Sequence, residues 1–351
     1  MSRNMTEANR IAFGRLEGLV ASDVVRLSES KKYIKTSDCE KEWLKSVRFY
    51  KNEDLFIDQH RFFALAIFRD ERYVLQIGFG PIFDGGDDLL LQENNSGLFT
   101  ALISDLKIPL LDRANVDLDL CNEVFLPSKS SEKIGFERAD LEKYFVGYSC
   151  YLVDKNSTLF DQEDELLLQK VALYVLGNSP EIVYLSIPPS ALDHIKNLAR
   201  LDVKTLPFDR VFRAFIERRY EHAFLDLYRC LEMLFSLKKI DLLRSRLKLN
   251  SMHLEISADV EDALGWRPTE KNALNEMLND FPNGLKELLK NCFNNNSEIG
   301  VNIYGLRNEC VHFRPLQKKS TLHKQVDWPK LLEGMVLLIN HAYSVSYRSM
   351  F

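Results

Sequence analysis

The apolar pattern of this chain changes period once, between Lys204 and Asp209. Upstream, short runs rich in β-branched and aromatic residues alternate with helical segments. Downstream, almost every segment repeats its apolar residues at helical spacing. Strands bury one face at a period of 2 and helices at a period of 3.6, so a wholesale change of period means a change of architecture. The pattern predicts an α+β domain over residues 1–206 and an all-α domain over 207–351. A length of 351 residues suits two domains.

In the first part, the opening ~50 residues have mixed helical periodicity. RFFALAIF and RYVLQIGFG, separated by Arg69, Asp70 and Glu71, predict a hairpin. LFTALISDL (98–106) fits a helix or a buried strand, and CNEVFLP and FVGYSCYLV are strand candidates. DQEDELLLQKVALYVLG (161–177) predicts a helix, with acids in its first turn and Gly177 at the C-cap position. EIVYLSI (181–187) has strand character, and PPSALDHIKNLAR predicts a short helix with prolines at its start.

In the second part, residues 209–239 predict one long helix or a kinked pair, with Phe224, Leu227, Leu231, Leu234 and Phe235 as the buried stripe. A short basic helix, LLRSRLKL, follows. Helices over 269–278 and 284–293 are split by Phe281-Pro282-Asn283-Gly284. Ser297 can cap a helix that runs through residue 313, and Pro315 closes it. Trp328 to Tyr347 is the last helix.

Charge separates the two parts. Residues 1–206 hold 25 Lys and Arg against 33 Asp and Glu, whereas residues 207–351 hold 21 against 18. An acidic first part does not suit bulk nucleic-acid binding, while a mildly basic second part permits contact with RNA. The six cysteines are scattered without a Cys-x-x-Cys pair, so neither zinc-ligand spacing nor a disulfide framework is indicated. No apolar run reaches the ~20 residues of a membrane span. The polar segment Met1 to Arg10 lacks a signal-peptide core. The expectation is a cytoplasmic protein without membrane contact.

The segment NIYGLRNECVHFRP (302–315) concentrates groups able to act on a phosphodiester. Arg307 offers a permanent charge and a planar fork that matches phosphate oxygens. His312 can take the proton of a ribose 2′-hydroxyl or return one to a leaving oxygen, because an unperturbed imidazole titrates at ~6.5. Asn308, four residues before His312, shares its helix face and can donate to the phosphate or hold the imidazole. Arg307 and His312 lie ~140° apart around a helix, so one helix does not aim both at one phosphate.

An Arg followed by Asn, with a His five residues beyond the Arg, late in an all-helical segment, resembles the signature of the HEPN family. The resemblance covers roughly residues 207–351, with the helix that carries LYRCLEMLF, the motif helix and a closing helix. It implies a metal-independent endoribonuclease with no cofactor, Arg307, Asn308 and His312 being catalytic. It implies a homodimer in which two motif helices face each other across one cleft. A toxin or antiviral-effector role follows from the resemblance too, because such nucleases concentrate in bacterial and archaeal defence. Family toxins paired with a nucleotidyltransferase antitoxin often carry Tyr two residues after the motif His. Arg314 stands there in this chain, which removes that modification target and offers a further contact to RNA phosphate. The alternative is a non-catalytic regulatory or scaffolding protein of the same fold that dimerises or binds nucleotides.

Glu232, inside a stripe of Leu and Phe, can orient Arg307 or His312 from a neighbouring helix, or simply sit at the stripe edge. Tyr228 and Arg229 have the same standing. Lys238, Lys239, Arg244, Arg246 and Lys248 form either an RNA track or a solvated face. Gly78-Phe79-Gly80 lacks the third glycine of a dinucleotide loop, and Asp84, Asp87 and Asp88 fit a turn better than a metal site. His323 and His341 have no partner at ligand spacing. Residues 1–206, acidic and strand-rich, suit protein recognition better than RNA binding; beside the resemblance they fit a sensor of a phage-derived trigger, a small ligand or a cognate regulatory protein that gates the nuclease.

Overall fold

The computed structural model describes residues 4–20, 32–79, 88–112, 116–125, 134–157, 162–294, 297–311 and 322–350. It divides into two compact units, Met1–Leu168 and Gln169–Phe351.

The elements of the first unit run α1 (Met5–Glu17), β1 (Tyr33–Ile34), α2 (Asp38–Ser46), β2 (Arg48–Phe56), β3 (Phe62–Phe68), β4 (Glu71–Ile77) and β5 (Leu89–Gln92). Then come α3 (Ser96–Ala101), α4 (Val116–Leu120), β6 (Gly135–Phe136), α5 (Arg138–Glu142) and β7 (Tyr148–Val153). Five strands form one sheet in the order β2-β3-β4-β7-β5 with antiparallel neighbours, and β1 pairs in parallel with β6. β3, FFALAIF, is apolar on both faces, which suits an interior position in the sheet. Phe62, Ala64, Ala66 and Phe68 share a core with Leu75 and Ile77 of β4 and with Ala12, Phe13 and Leu16 of α1. Trp43 of α2 stacks on Phe68 at 4.1 Å.

The expected hairpin is β3–β4, and its turn is tight. Arg69 and Asp70 have φ of 50° and 61°, the left-handed pair that matches strand twist. Such φ values cost a residue with a Cβ ~1–2 kcal/mol, less for Asp than for most. Asp70→Gly is therefore expected to stabilise the unit by up to ~1 kcal/mol, or ~2–4 °C in thermal unfolding. Asp70→Val is expected to lower the transition instead.

Of the two readings open for LFTALISDL the structure takes the helix, and it overturns one strand candidate. LFTALISDL is helical: α3 continues into a wider π turn over Leu102–Leu106. The described part of CNEVFLP is not a strand, because Cys121–Phe125 extends α4 as another π turn. Val116, Leu120 and Val124 are buried at four-residue spacing, and that helical repeat disappears when the run is taken from Cys121 onward.

A helix crosses the division: α6 (Asp164–Asn178) begins in the first unit and continues in the second. Then follow α7 (Pro189–Ala199), α8 (Phe208–Ile216), α9 (Tyr220–Glu232), α10 (Leu237–Leu247), α11 (His253–Leu264) and α12 (Glu270–Asn279). α13 (Asn283–Lys290), α14 (Ile299–Val311), α15 (Leu322–Gln325) and α16 (Trp328–His341) complete the unit. Among its described residues no strand occurs, only an isolated bridge between Phe293 and Val326. α16 buries Leu331, Leu332, Gly334, Met335, Val336, Leu338 and Ile339, an arc of roughly 200° around the helix. It therefore sits inside the bundle, packed on α7, α9 and α13.

The division lies 38 residues earlier than the change of period at 206/207. Residues 169–206 are bound into the helical unit by particular contacts. α7 packs on α16, Lys170 Nζ lies 5.7 Å from the Phe208 ring centre, and Tyr220 Oη donates to Ser186 O at 3.0 Å. EIVYLSI forms no strand: Pro180–Ile182 is a 3-10 turn, and Pro188 follows shortly. Gly177 does not cap α6, which runs to Asn178. It lets α7 approach instead, since a Cβ there would lie 2.6 Å from Lys196 Cγ and 3.0 Å from Leu192 O.

Residues 209–239, expected as one long helix or a kinked pair, hold α8, α9 and the start of α10, and α10 runs on into the expected basic segment. The apolar residues explain the first break. Phe208, Val211, Phe212 and Phe215 make one buried stripe, and Phe224, Leu227, Tyr228 and Leu231 make another. On a continuous helix these stripes would point roughly 160° apart. Breaking at Glu217, which is extended, brings both into one core.

Candidate functional site

The buried stripe of α14 is Gly300, Asn302, Ile303 and Leu306, and it seats the helix against α9 and α12. Arg307 comes next. Its fork reaches two other helices. Nη2 donates to Glu232 Oε1 at 3.4 Å, at the end of α9, and to Glu270 Oε1 at 3.2 Å, at the start of α12. Nη1 donates to Asn308 Oδ1 at 3.2 Å, and the guanidinium carbon lies 6.0 Å from the Tyr228 ring centre. A carboxylate suits the N-terminal end of α12 but opposes the dipole at the C-terminal end of α9. Arg307 therefore offsets an unfavourable placement of Glu232 while sharing Nη2 between two anions.

The electrostatics carry that strain. Burial pushes the Glu232 carboxyl above the ordinary range, the charge of Glu270 adds to the shift, and Arg307 and Arg229 oppose it. Burial raises the Tyr228 phenol, with Glu270 and Glu232 adding. The Tyr228 hydroxyl and Glu270 Oε2 are buried with no hydrogen-bond partner among the described residues. A carboxyl raised in the fold contributes stability fully present below its unfolded value, near 4.5. That contribution is lost as pH rises through the raised value. Glu232→Gln is thus expected to flatten the fall in stability above about pH 4.5, measured by thermal unfolding from about pH 4 to about pH 7. An identical profile in the variant would contradict the assignment.

Of the five residues singled out from the sequence, the structure brings Arg307, Asn308 and Glu232 together. His312 and Arg314 lie outside the described residues, as do Gly80, Asp84, Asp87 and Pro315. The described part of the motif helix ends at Val311. Sequence reasoning missed Glu270. Its one signal is an acid directly after Thr269 at a helix start, which is normally an end-of-helix charge and nothing more.

Other groups resolve more simply. Lys238 pairs with Asp280 and donates to Glu276 O, and Lys239 lies 3.9 Å from Glu276, so part of the basic cluster ties α10 to α12. His323 Nδ1 lies 3.2 Å from Glu309 Oε2, a partner found across space and not by ligand spacing. His341 closes α16 with its ring 5.2 Å from Phe281. Asp88 accepts from Ser157 Oγ at 2.8 Å. Among the described residues no group of three or more His, Cys, Asp or Glu side chains could hold a metal ion. No described helix is long and apolar enough to cross a membrane. No family model, no curated protein and no solved structure matches the chain.

Proposed function

We propose that the helical unit is a metal-independent endoribonuclease of the HEPN type, a cytoplasmic toxin or antiviral effector working as a homodimer. The observation that carries this reading is the setting of Arg307: a guanidinium on the motif helix, oriented by carboxylates from two further helices and adjacent to Asn308. A pre-oriented fork loses little freedom when it meets a phosphate. The nucleophile is the substrate's own 2′-hydroxyl. His312 of one copy accepts its proton as the 2′-oxygen bonds to phosphorus, and the bond to the 5′-oxygen breaks. His312 of the other copy returns a proton to that oxygen. The products are a 2′,3′-cyclic phosphate and a 5′-hydroxyl. Arg307 balances the negative charge that builds on the phosphate oxygens. The first unit is the proposed sensor for a phage-derived trigger or a cognate regulatory protein.

The test is purified protein with end-labelled single-stranded RNA in excess EDTA, with analysis of product ends. Cyclic phosphate ends are the expected result. Activity abolished by EDTA and restored by Mg²⁺ would place the chemistry elsewhere. Arg307→Ala is expected to slow cleavage ~10²–10³-fold, the usual effect of removing a donor to a developing anion. Arg307→Lys should recover little, because a point charge does not replace the fork.

A second reading, a non-catalytic regulatory or scaffolding protein, is favoured by one observation. Arg307 Nη2 already serves two carboxylates, which is what a purely structural tie between α9, α12 and α14 would look like. Absence of cleavage together with loss of stability in Arg307→Ala would select it.

A further inference from the structure

Asp226 of α9 is the centre of a second charge cluster. Its Oδ1 accepts from Arg229 Nη1 at 3.0 Å, one turn along the same helix, and from Arg210 Nη1 at 3.4 Å, on the neighbouring α8. The Asp226 side chain is 9% exposed, while those of Arg210 and Arg229 are 41% and 52% exposed. One carboxylate needs one cation to be neutral, so the trio is left with a net positive charge. Each guanidinium has five N–H donors, and the bond to Asp226 takes one. The buried anion thus holds two forks in place at the surface without cancelling both.

This cluster runs toward Arg307. Asp226, Arg229 and Glu232 follow at three-residue steps on α9, each a neighbour of the next on the helix surface. Glu232 then bonds to Arg307. Charges therefore alternate in sign from Arg210 through Asp226, Arg229 and Glu232 to Arg307. A triad that only tied α8 to α9 would need Arg210 and Asp226 alone. Arg229, on the same helix as Asp226, adds nothing to that tie; it also opposes the burial of the Glu232 charge, and its side chain stays half exposed.

We propose that Arg210 and Arg229, held by Asp226, form a phosphate-binding subsite for single-stranded RNA beside the Arg307 site. The inference rests on the ribonuclease reading above. Arginine forks match phosphate oxygens in pairs, and clamping by Asp226 lowers the entropy lost on binding. Neutralising a phosphate of a single strand releases counterions and contributes ~0.7 to the slope of log affinity against log salt. A subsite of this kind sets affinity and the path of the strand, not the sequence read.

The experiment measures binding of a 2′-O-methyl oligoribonucleotide, which offers no 2′-hydroxyl to attack, across a salt series. Arg210→Gln and Arg229→Gln are each expected to bind more weakly, with the slope reduced by ~0.7, and the pair together by ~1.4. Arg267→Gln, whose arginine follows α11 and pairs with Glu261 of that helix, should leave the slope unchanged. The Arg210→Lys, Arg229→Lys chain keeps both charges and should keep the slope, which guards against misfolding of the glutamine variants. An unchanged slope in the folded double glutamine variant would overturn the subsite alone, provided that the wild-type chain binds and cleaves RNA. A wild-type chain that neither binds the oligomer nor cleaves RNA would overturn both the subsite and the ribonuclease reading.

Discussion

Replacing His312 by alanine is expected to slow RNA cleavage by ~10²–10⁴-fold, the usual consequence of removing a general acid or base. The expectation follows from the groups at hand. Arg307 cannot move a proton near neutral pH. Asn308 is a neutral amide whose Oδ1 already accepts from Arg307. Glu232 and Glu270 have carboxyl oxygens engaged with the same guanidinium. Within the motif this leaves His312, whose side-chain type is the one suited to moving a proton near neutral pH. DNA of the same sequence should be inert, since it lacks the attacking hydroxyl. The readout is single-turnover cleavage of labelled RNA in EDTA by wild type and variant, with circular dichroism to confirm the fold. Equal rates would remove His312 from the chemistry and end the case for this class of nuclease.

Gly78→Ala is expected to cost the first unit ~3–5 kcal/mol, combining left-handed strain with overpacking. Gly78 has φ of +79° and donates its N–H to Gly147 O at 2.7 Å. A Cβ there would lie 1.9 Å from the carbonyl oxygen of His60. That carbonyl has little room to yield. Asp58 Oδ1 accepts from the N–H groups of His60 and Arg61 at 2.8 and 2.9 Å, and Asp58 Oδ2 accepts from Arg61 Nε at 2.9 Å. The turn is fixed on one side and the strand end on the other. Gly14→Ala is the matched control. Nothing lies within 4 Å of its added carbon, and the helical setting of α1 favours alanine by ~0.5–1 kcal/mol. Denaturant titration of the two variants reads the contrast directly, and a loss under ~1 kcal/mol for Gly78→Ala would show that the turn yields after all.

Much of the helical half is legible in the order of its apolar residues, because helix and strand periods rarely imitate each other over long segments. The β3–β4 hairpin is legible from the polar residues Arg69, Asp70 and Glu71 between two apolar runs. The approach of Glu232 to Arg307 is legible only as one of two readings, because an acid at the edge of a Leu and Phe stripe can reach water as easily as a cation. What stays hidden has a common physical cause. The break at Glu217 contains neither glycine nor proline, and it shows only when the phases of two stripes are compared. Glu270 reaches Arg307 across 37 residues of chain, and no local pattern records such a distance. α4 is obscured because its buried repeat starts five residues before the run that resembles a strand. Asp226 looks like an ordinary surface acid on α9 until Arg210 is seen to arrive from α8.

The division within α6 bears on how the two activities proposed for this chain could be separated genetically. A gene shortened to start at residue 207 would encode a bundle lacking the later part of α6 and all of α7. The side of α16 that α7 covers would then face water along with its leucines. Such a protein should precipitate or be degraded, and its silence in a toxicity assay would say nothing about the motif. A fragment starting at or before Asp164 keeps those helices, and only with that fragment can loss of the first unit be compared fairly with loss of function.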